Sequence, residues 1–148
     1  QATLVRAGRK LSASHYWLLI HAMNRYRRKF AKQFEQQGLD VLLSPAFALP
    51  AMCHDDGIDL LPAGSHAMLQ NLVGGPGGMV PWSRVLEGEE TDRQANRDGA
   101  IRRAIKTETD SVGLPVGVQV SSLPWQEHRV LAVMRELQHD IRSRQRSG

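Results

Sequence analysis

Three short apolar runs, each closed by turn residues, alternate along this chain with stretches of helical period. That alternation narrows the accessible folds more than any other feature. Asp40-Val41-Leu42-Leu43-Ser44-Pro45 is a continuous apolar run that reads as a buried strand, and Pro45 ends it because proline has no amide hydrogen to donate. Met79-Val80-Pro81-Trp82-Ser83-Arg84-Val85 follows a glycine-rich turn and reads as a second strand. Gly113-Leu114-Pro115-Val116-Gly117-Val118-Gln119-Val120 reads as a third.

Helices are predicted between and around these strands. From Ser14 to Gln37, the residues Leu19, Met23, Tyr26, Phe30 and Phe34 fall on one helical stripe. Arg25, Arg27, Arg28, Lys29 and Lys32 lie mostly off that stripe, and Gly38 stands where helices stop. The stretch from Ala46 to Ala63 is loop-like. A short helix is predicted from Ser65 to Val73, with Ser65 as its cap and Met68, Leu69 and Leu72 facing inward. Thr91 with Gln94 makes a capping-box pattern for a helix reaching Lys106, whose apolar positions are Ala95, Ile101, Ala104 and Ile105. The final helix is predicted from Pro124, with Val130, Met134, Leu137 and Ile141 at helical spacing, and Arg142 to Gly148 as a frayed basic tail. The order is an α/β alternation, a sheet with helices on both faces. Strands that read as buried on both faces need neighbours that the chain does not supply, so the expectation is a piece of a larger sheet.

Composition enters as a set of exclusions. Apolar residues at 41% and charged residues at 23% are the balance of a globular protein, and 148 residues suffice for one domain. No apolar run approaches the roughly 20 residues that span a bilayer. Gln1-Ala2-Thr3-Leu4 is neither an initiator methionine nor a signal-peptide start, so a processed chain or a piece of a longer one is expected. The single cysteine, Cys53, excludes an intramolecular disulfide and a cysteine-rich zinc site, and fits a reducing, cytoplasmic compartment. Residues 1–40 hold eight Lys/Arg against two acids, whereas residues 41–125 hold six against ten. The basic ends lack the aromatic or glycine-rich reading elements of a nucleic-acid binder, so no nucleic-acid partner is expected. The basic face of the first helix leaves association with an acidic membrane surface open. Homo-oligomerisation is open too.

Motifs read without reference to any family identify no reaction. Gly74-Gly75-Pro76-Gly77-Gly78 lacks the Gly-Lys-Ser/Thr of a P-loop and precedes a strand, so its glycines signal close backbone approach instead. Cys53-His54-Asp55-Asp56 has no second ligand pair at metal spacing and reads as an acidic surface loop that happens to hold a cysteine. Ser65-His66 lacks the glycines of a nucleophile elbow, His15, His21, His128 and His139 are scattered over helices, and Trp82 and Trp125 read as core or rim aromatics. No metal site and no cofactor are expected.

Longer stretches carry a resemblance. Ser111-Val112-Gly113-Leu114-Pro115-Val116-Gly117-Val118-Gln119, then Leu123-Pro124-Trp125-Gln126-Glu127, then Met134-Arg135-Glu136 resemble the C-terminal end of fatty acid amide hydrolases, in the amidase-signature family. Leu39 to Pro45 looks like that family's strand, preceded by a similar Tyr- and Arg-bearing helix. Asn71-Leu72-Val73-Gly74-Gly75-Pro76-Gly77-Gly78-Met79-Val80-Pro81 resembles its segment of asparagine, small residues, proline, a small pair and Val-Pro. The resemblance covers Tyr16 to Glu136 in order and spacing.

The resemblance implies that residues 1–148 are the C-terminal segment of one amidase domain, an α/β/α fold with a mixed sheet flanked by helices. It implies hydrolysis of amide, and sometimes ester, bonds of a small acyl amide through a Ser-Ser-Lys triad. The glycine-flanked Ser-Ser of that signature occurs nowhere here, Ser121-Ser122 has no flanking glycines, and Lys10, Lys29, Lys32 and Lys106 match no catalytic position. The triad is therefore expected upstream, and this segment alone is expected to be inactive. Its implied contribution is the wall of the acyl channel, with Gly74, Gly77, Met79 and Val80 as substrate-binding candidates. The alternative is a non-catalytic lipid- or partner-binding module derived from the same fold.

Overall fold

The computed structural model describes residues 11–54 and 56–147, with the side chains of 145–147 left aside. The readings of Gln1 to Leu4, Lys10, Asp55 and Gly148 lie outside the described residues. The chain divides into two units, residues 1–38 and 39–148.

The first unit contains helix α1, Ala13–Gln36. Ser12 caps it by accepting the His15 amide hydrogen at 3.3 Å, satisfying one of the donors that a helix start leaves unpaired. Gly38, at φ +63°, closes the other end through a 2.9 Å bond from its amide to the Glu35 carbonyl. Along the predicted stripe Tyr26, Phe30 and Phe34 stack in sequence, with ring centroids 6.5 and 5.9 Å apart. Leu19 and Tyr26 are exposed and Phe34 is buried.

The second unit runs β1 (Leu42–Pro45), α2 (Ser65–Val73), β2 (Gly77–Arg84), α3 (Gly99–Glu108), β3 (Pro115–Ser121) and α4 (Glu127–Ser147). β3 is central and pairs antiparallel with both β1 and β2. The described strands thus form an antiparallel part of an α/β structure. The strand side chains alternate between two faces. Val80 and Val120 are fully buried beneath α4, whose Val130 is also buried. Gly78 lies on that same face, where an added Cβ would run into the Met134 thioether, so its bare backbone is what lets α4 approach. α4 lies over β2 and β3 and leaves the β1 side of this face open, with Leu43 half exposed. On the opposite face α2 lies over Gly77, where Gln70 carbons come within 3.4 Å of a notional Cβ.

Several boundaries differ from the expectation, each for a local reason. α2 has no side-chain cap: it continues a 3₁₀ turn over Leu61–Gly64, and Ser65 is its first residue rather than its cap. It buries Gln70 and Val73, whereas Met68 and Leu72 face outward. Gly75 favours this, because a Cβ there would stand 2.9 Å from Gln70 Oε1, so the absence of a side chain leaves the glutamine its room. α3 begins at Gly99 instead of Thr91, since Asp98 takes the cap by accepting the Ala100 amide at 2.8 Å. Thr91 donates its hydroxyl to Glu108 at 2.6 Å and accepts the Arg93 amide at 3.2 Å, a local turn that does not continue into a helix. α4 begins at Glu127 rather than Pro124, because Trp125 adopts a left-handed φ of +67° that no helix accommodates. Its end is not a frayed tail. The helix continues to Ser147, with Arg144 paired to Asp140 at 2.7 Å and stacked over Trp82 at 5.0 Å.

Candidate functional site

An apolar groove of about 410 Å³ opens on the second unit between the sheet and the loop that follows β1. Its floor is the pair Met79 and Gly117, in neighbouring strands. The Met79 thioether lies across Gly117 so closely that a Cβ there would sit 2.7 Å from its sulfur. Any side chain at position 117 would evict Met79 from the floor. One wall is Phe47, Leu49, Pro50 and Met52, and the far end is Pro81, Pro115 and Val116. Nearly every atom facing the space is carbon or thioether sulfur, which suits an alkyl chain and offers a charged ligand nothing.

The wall is irregular backbone, yet it is fastened at several points. Phe47 packs on Gly64, where a Cβ would stand 3.1 Å from the ring. Ala48 donates its amide to the Ala63 carbonyl at 2.9 Å. Asp56, buried, accepts from Arg103 at 2.8 Å, and the same guanidinium reaches Asp59 at 3.1 Å. The loop is thereby anchored to α3. This corrects the reading of Asp56 as part of a surface loop: Cys53 and His54 are exposed, but Asp56 turns inward to its cation. Among the described residues no helix is long and apolar enough to cross a membrane.

Beyond Met79 the face changes character. A recess of about 380 Å³ is lined by Gln70, Asn71 and Gln119 together with the backbone of Gly75, Gly77 and Gly78. Gln70 and Gln119 are each only 8% exposed, and the side-chain Oε1 of Gln70 has no hydrogen-bond partner among the described residues. Met79, 59% exposed, borders both spaces.

The four candidate residues therefore separate. Gly77 and Met79 share one face and line cavities. Gly74 sits at the end of α2 with φ +75°, and donates its amide to Gln70 at 2.8 Å, so it acts as the stop of a helix. Val80 has no exposed surface and points to the α4 side, since adjacent strand residues face opposite ways. Ser121 and Ser122 are buried, and both hydroxyls donate to backbone carbonyls, of Leu42 at 3.3 Å and Asp40 at 2.7 Å. They stitch β3 to the β1 strand and its approach. Trp125 is neither core nor rim: it is 86% exposed. The groove residues that sequence reasoning missed are Phe47, Leu49, Pro50, Met52 and Gly117. Their one signal was an apolar run, Ala46 to Met52, in a stretch without period.

The Amidase family model matches residues 1–131. Fatty-acid amide hydrolase 1 of Sus scrofa is 34% identical over 137 residues, covering 88% of this chain and 23% of that protein. Fatty acid amide hydrolase 1 of Caenorhabditis elegans is 33% identical over 116 residues, covering 76% of this chain and 20% of that protein. The chain spans less than a quarter of the length of these curated relatives.

Proposed function

This chain belongs to the amidase family, and on that premise we propose that it supplies part of the acyl-binding wall of a serine amide hydrolase acting on fatty acyl amides. The observation that carries the proposal is the apolar groove floored by Met79 over Gly117. An alkyl chain laid there gains about 0.8 kcal/mol for each methylene removed from water. The carboxamide recess on the other side of Met79 gives the polar end of an amide substrate hydrogen-bonding groups that the groove lacks. In this reading the nucleophilic serine, its bridging serine and the lysine come from sequence outside these 148 residues, because the glycine-flanked Ser-Ser is missing from them. The 148-residue chain by itself then binds but does not hydrolyse.

The same reading covers the exposed apolar residues of the sheet, Leu43 and Val116, with the remainder of an amidase sheet or with a second copy. It keeps a cytoplasmic location as part of the proposal and adds a peripheral membrane contact, which the exposure of Tyr16, Trp17, Leu18 and Leu19 on α1, one turn or more before its basic run, supports.

The test is a titration of the chain with a long-chain primary fatty amide, followed by NMR shifts of the methionine methyl groups, with ammonia release measured in parallel. Saturable binding that perturbs Met79 and Met52, is lost in Met79→Asp, and is not reproduced by acetamide is the expected result. Equal binding of acetamide, or full binding by Met79→Asp, would remove the groove from the account. Ammonia released by this chain alone would show that its nucleophile lies within it after all.

A further inference from the structure

A second cleft, of about 390 Å³, opens between the far end of β2, Pro115 and α4. Its polar lining is cationic or neutral: Ser83 and Arg84 from β2, and Gln138 and Arg142 one turn apart on α4. Arg84 is held by a 2.7 Å bond from Nη1 to the Gly113 carbonyl, which leaves other N–H groups of its planar fork unused. Neither Arg84 nor Arg142 pairs with a carboxylate among the described residues.

None of the nearby acids forms an ion pair with either arginine among the described residues. Glu89 and Glu90, which share a neighbouring recess with Arg84, accept the backbone amides of Leu86 at 3.0 Å and Gly88 at 2.8 Å. Asp140 is held by Arg144. Two guanidinium groups lining one cleft, neither of them in an ion pair, repel each other, and an anion between them relieves that cost.

The register of the sheet adds an independent observation. Pro81 pairs with Gly117 and Ser83 with Val116, so Trp82 is an extra residue with no partner in β3. Such a bulge re-aims one side chain. Here it places the indole in the wall of the cleft, under the Arg144 guanidinium and near Ile141.

We propose that this cleft binds a phosphomonoester, its dianion held by Arg84 and Arg142 and its organic body lying on Trp82 and Ile141. A phosphomonoester offers three acceptor oxygens and a charge of about −1.5 to −2 at neutral pH, which suits two forks better than a single carboxylate does. Inorganic phosphate would leave most of the cleft empty. The cleft adjoins the far end of the acyl groove at Pro81 and Pro115, and its own polar groups let it stand or fall without the amidase reading.

The test uses phenyl phosphate as the probe, with inorganic phosphate, benzoate and vesicles containing phosphatidic acid as comparison arms. Phenyl phosphate is expected to bind saturably and to change tryptophan fluorescence, with the change absent in Trp82→Phe. Arg142→Gln and Arg84→Gln are each expected to weaken binding about tenfold or more, the cost of losing one charge-assisted pair. Arg142 is exposed and makes no hydrogen bond or ion pair among the described residues, so its variant leaves the fold intact and carries the test alone if Arg84→Gln is unstable. Tighter binding to phosphatidic acid vesicles, lost in the same variants, would identify the source as a lipid headgroup. Binding to phenyl phosphate alone would identify a soluble ester. No saturable binding, benzoate binding as tightly, or full binding by Arg142→Gln would overturn the proposal.

Discussion

Replacing each glycine of the segment before and within β2 by alanine separates close packing from cavity lining. At Gly75 the new Cβ would land on the Ser122 carbonyl oxygen and within 2.9 Å of Gln70 Oε1. The first of these is backbone and cannot swing away. Relief requires the turn after α2 to move off the end of β3, where Ser122 donates its amide to Pro76 at 3.2 Å. Overpacking costs about 1–3 kcal/mol and a lost hydrogen bond about 1 more, so Gly75→Ala should lose roughly 2–4 kcal/mol. At Gly78 the obstacle is the Met134 thioether, a flexible end that can turn aside, and the loss should be about 1 kcal/mol. At Gly77 the nearest atoms stand at 3.4 Å, an ordinary contact, and φ is not left-handed. Gly77→Ala should be neutral or stabilising by about 0.5 kcal/mol through the unfolded chain. Urea unfolding followed by circular dichroism reads the series. With a slope of about 1–3 kcal/mol per molar, Gly75→Ala should lower the midpoint by roughly 1–2 M. A Gly75→Ala midpoint equal to the parent's, or a Gly77→Ala loss as large as that of Gly75→Ala, would refute the reasoning.

Two other predictions follow from polar contacts. Glu108 is buried and accepts from Arg93 Nε at 2.8 and 3.0 Å and from Thr91 at 2.6 Å, so Arg93→Ala should cost about 2 kcal/mol by stranding a buried charge, and Arg93→Ala with Glu108→Gln should cost less than the sum of the two singles in a double-mutant cycle. Because Asp98 caps α3, Asp98→Ala should cost about 1 kcal/mol and expose the Ala100 amide to faster hydrogen exchange, whereas Thr91→Ala should leave that amide's exchange unchanged.

The elements that were legible in the sequence are those whose signal is local. The α1 stripe, the three strand runs and the Val130-Met134-Leu137-Ile141 face of α4 all follow from the period of apolar residues, which a tertiary fold can use but not reverse. Of the four acyl-wall candidates Met79 borders the apolar groove and Gly77 the carboxamide recess. Gly77 and Met79 stand on the cavity face, and the alternation of a strand puts Val80, their neighbour, on the other side.

What the sequence determined by itself is the alternation of helix and strand and the family to which its words belong. Tertiary structure decided the antiparallel pairing about β3, because register depends on partners distant in the chain. It decided that α2 buries a glutamine rather than Met68 and Leu72, with Gly75 leaving room for the Gln70 carboxamide. It placed Thr91 against Glu108, seventeen residues away, while Asp98 caps the start of α3. It also made a groove wall from a loop without period, because Phe47 and Met52 find Gly64 and Gly57 only when the chain has folded back. Each of these turns on a contact between residues that the sequence places apart, and such contacts leave no periodic trace in composition or spacing.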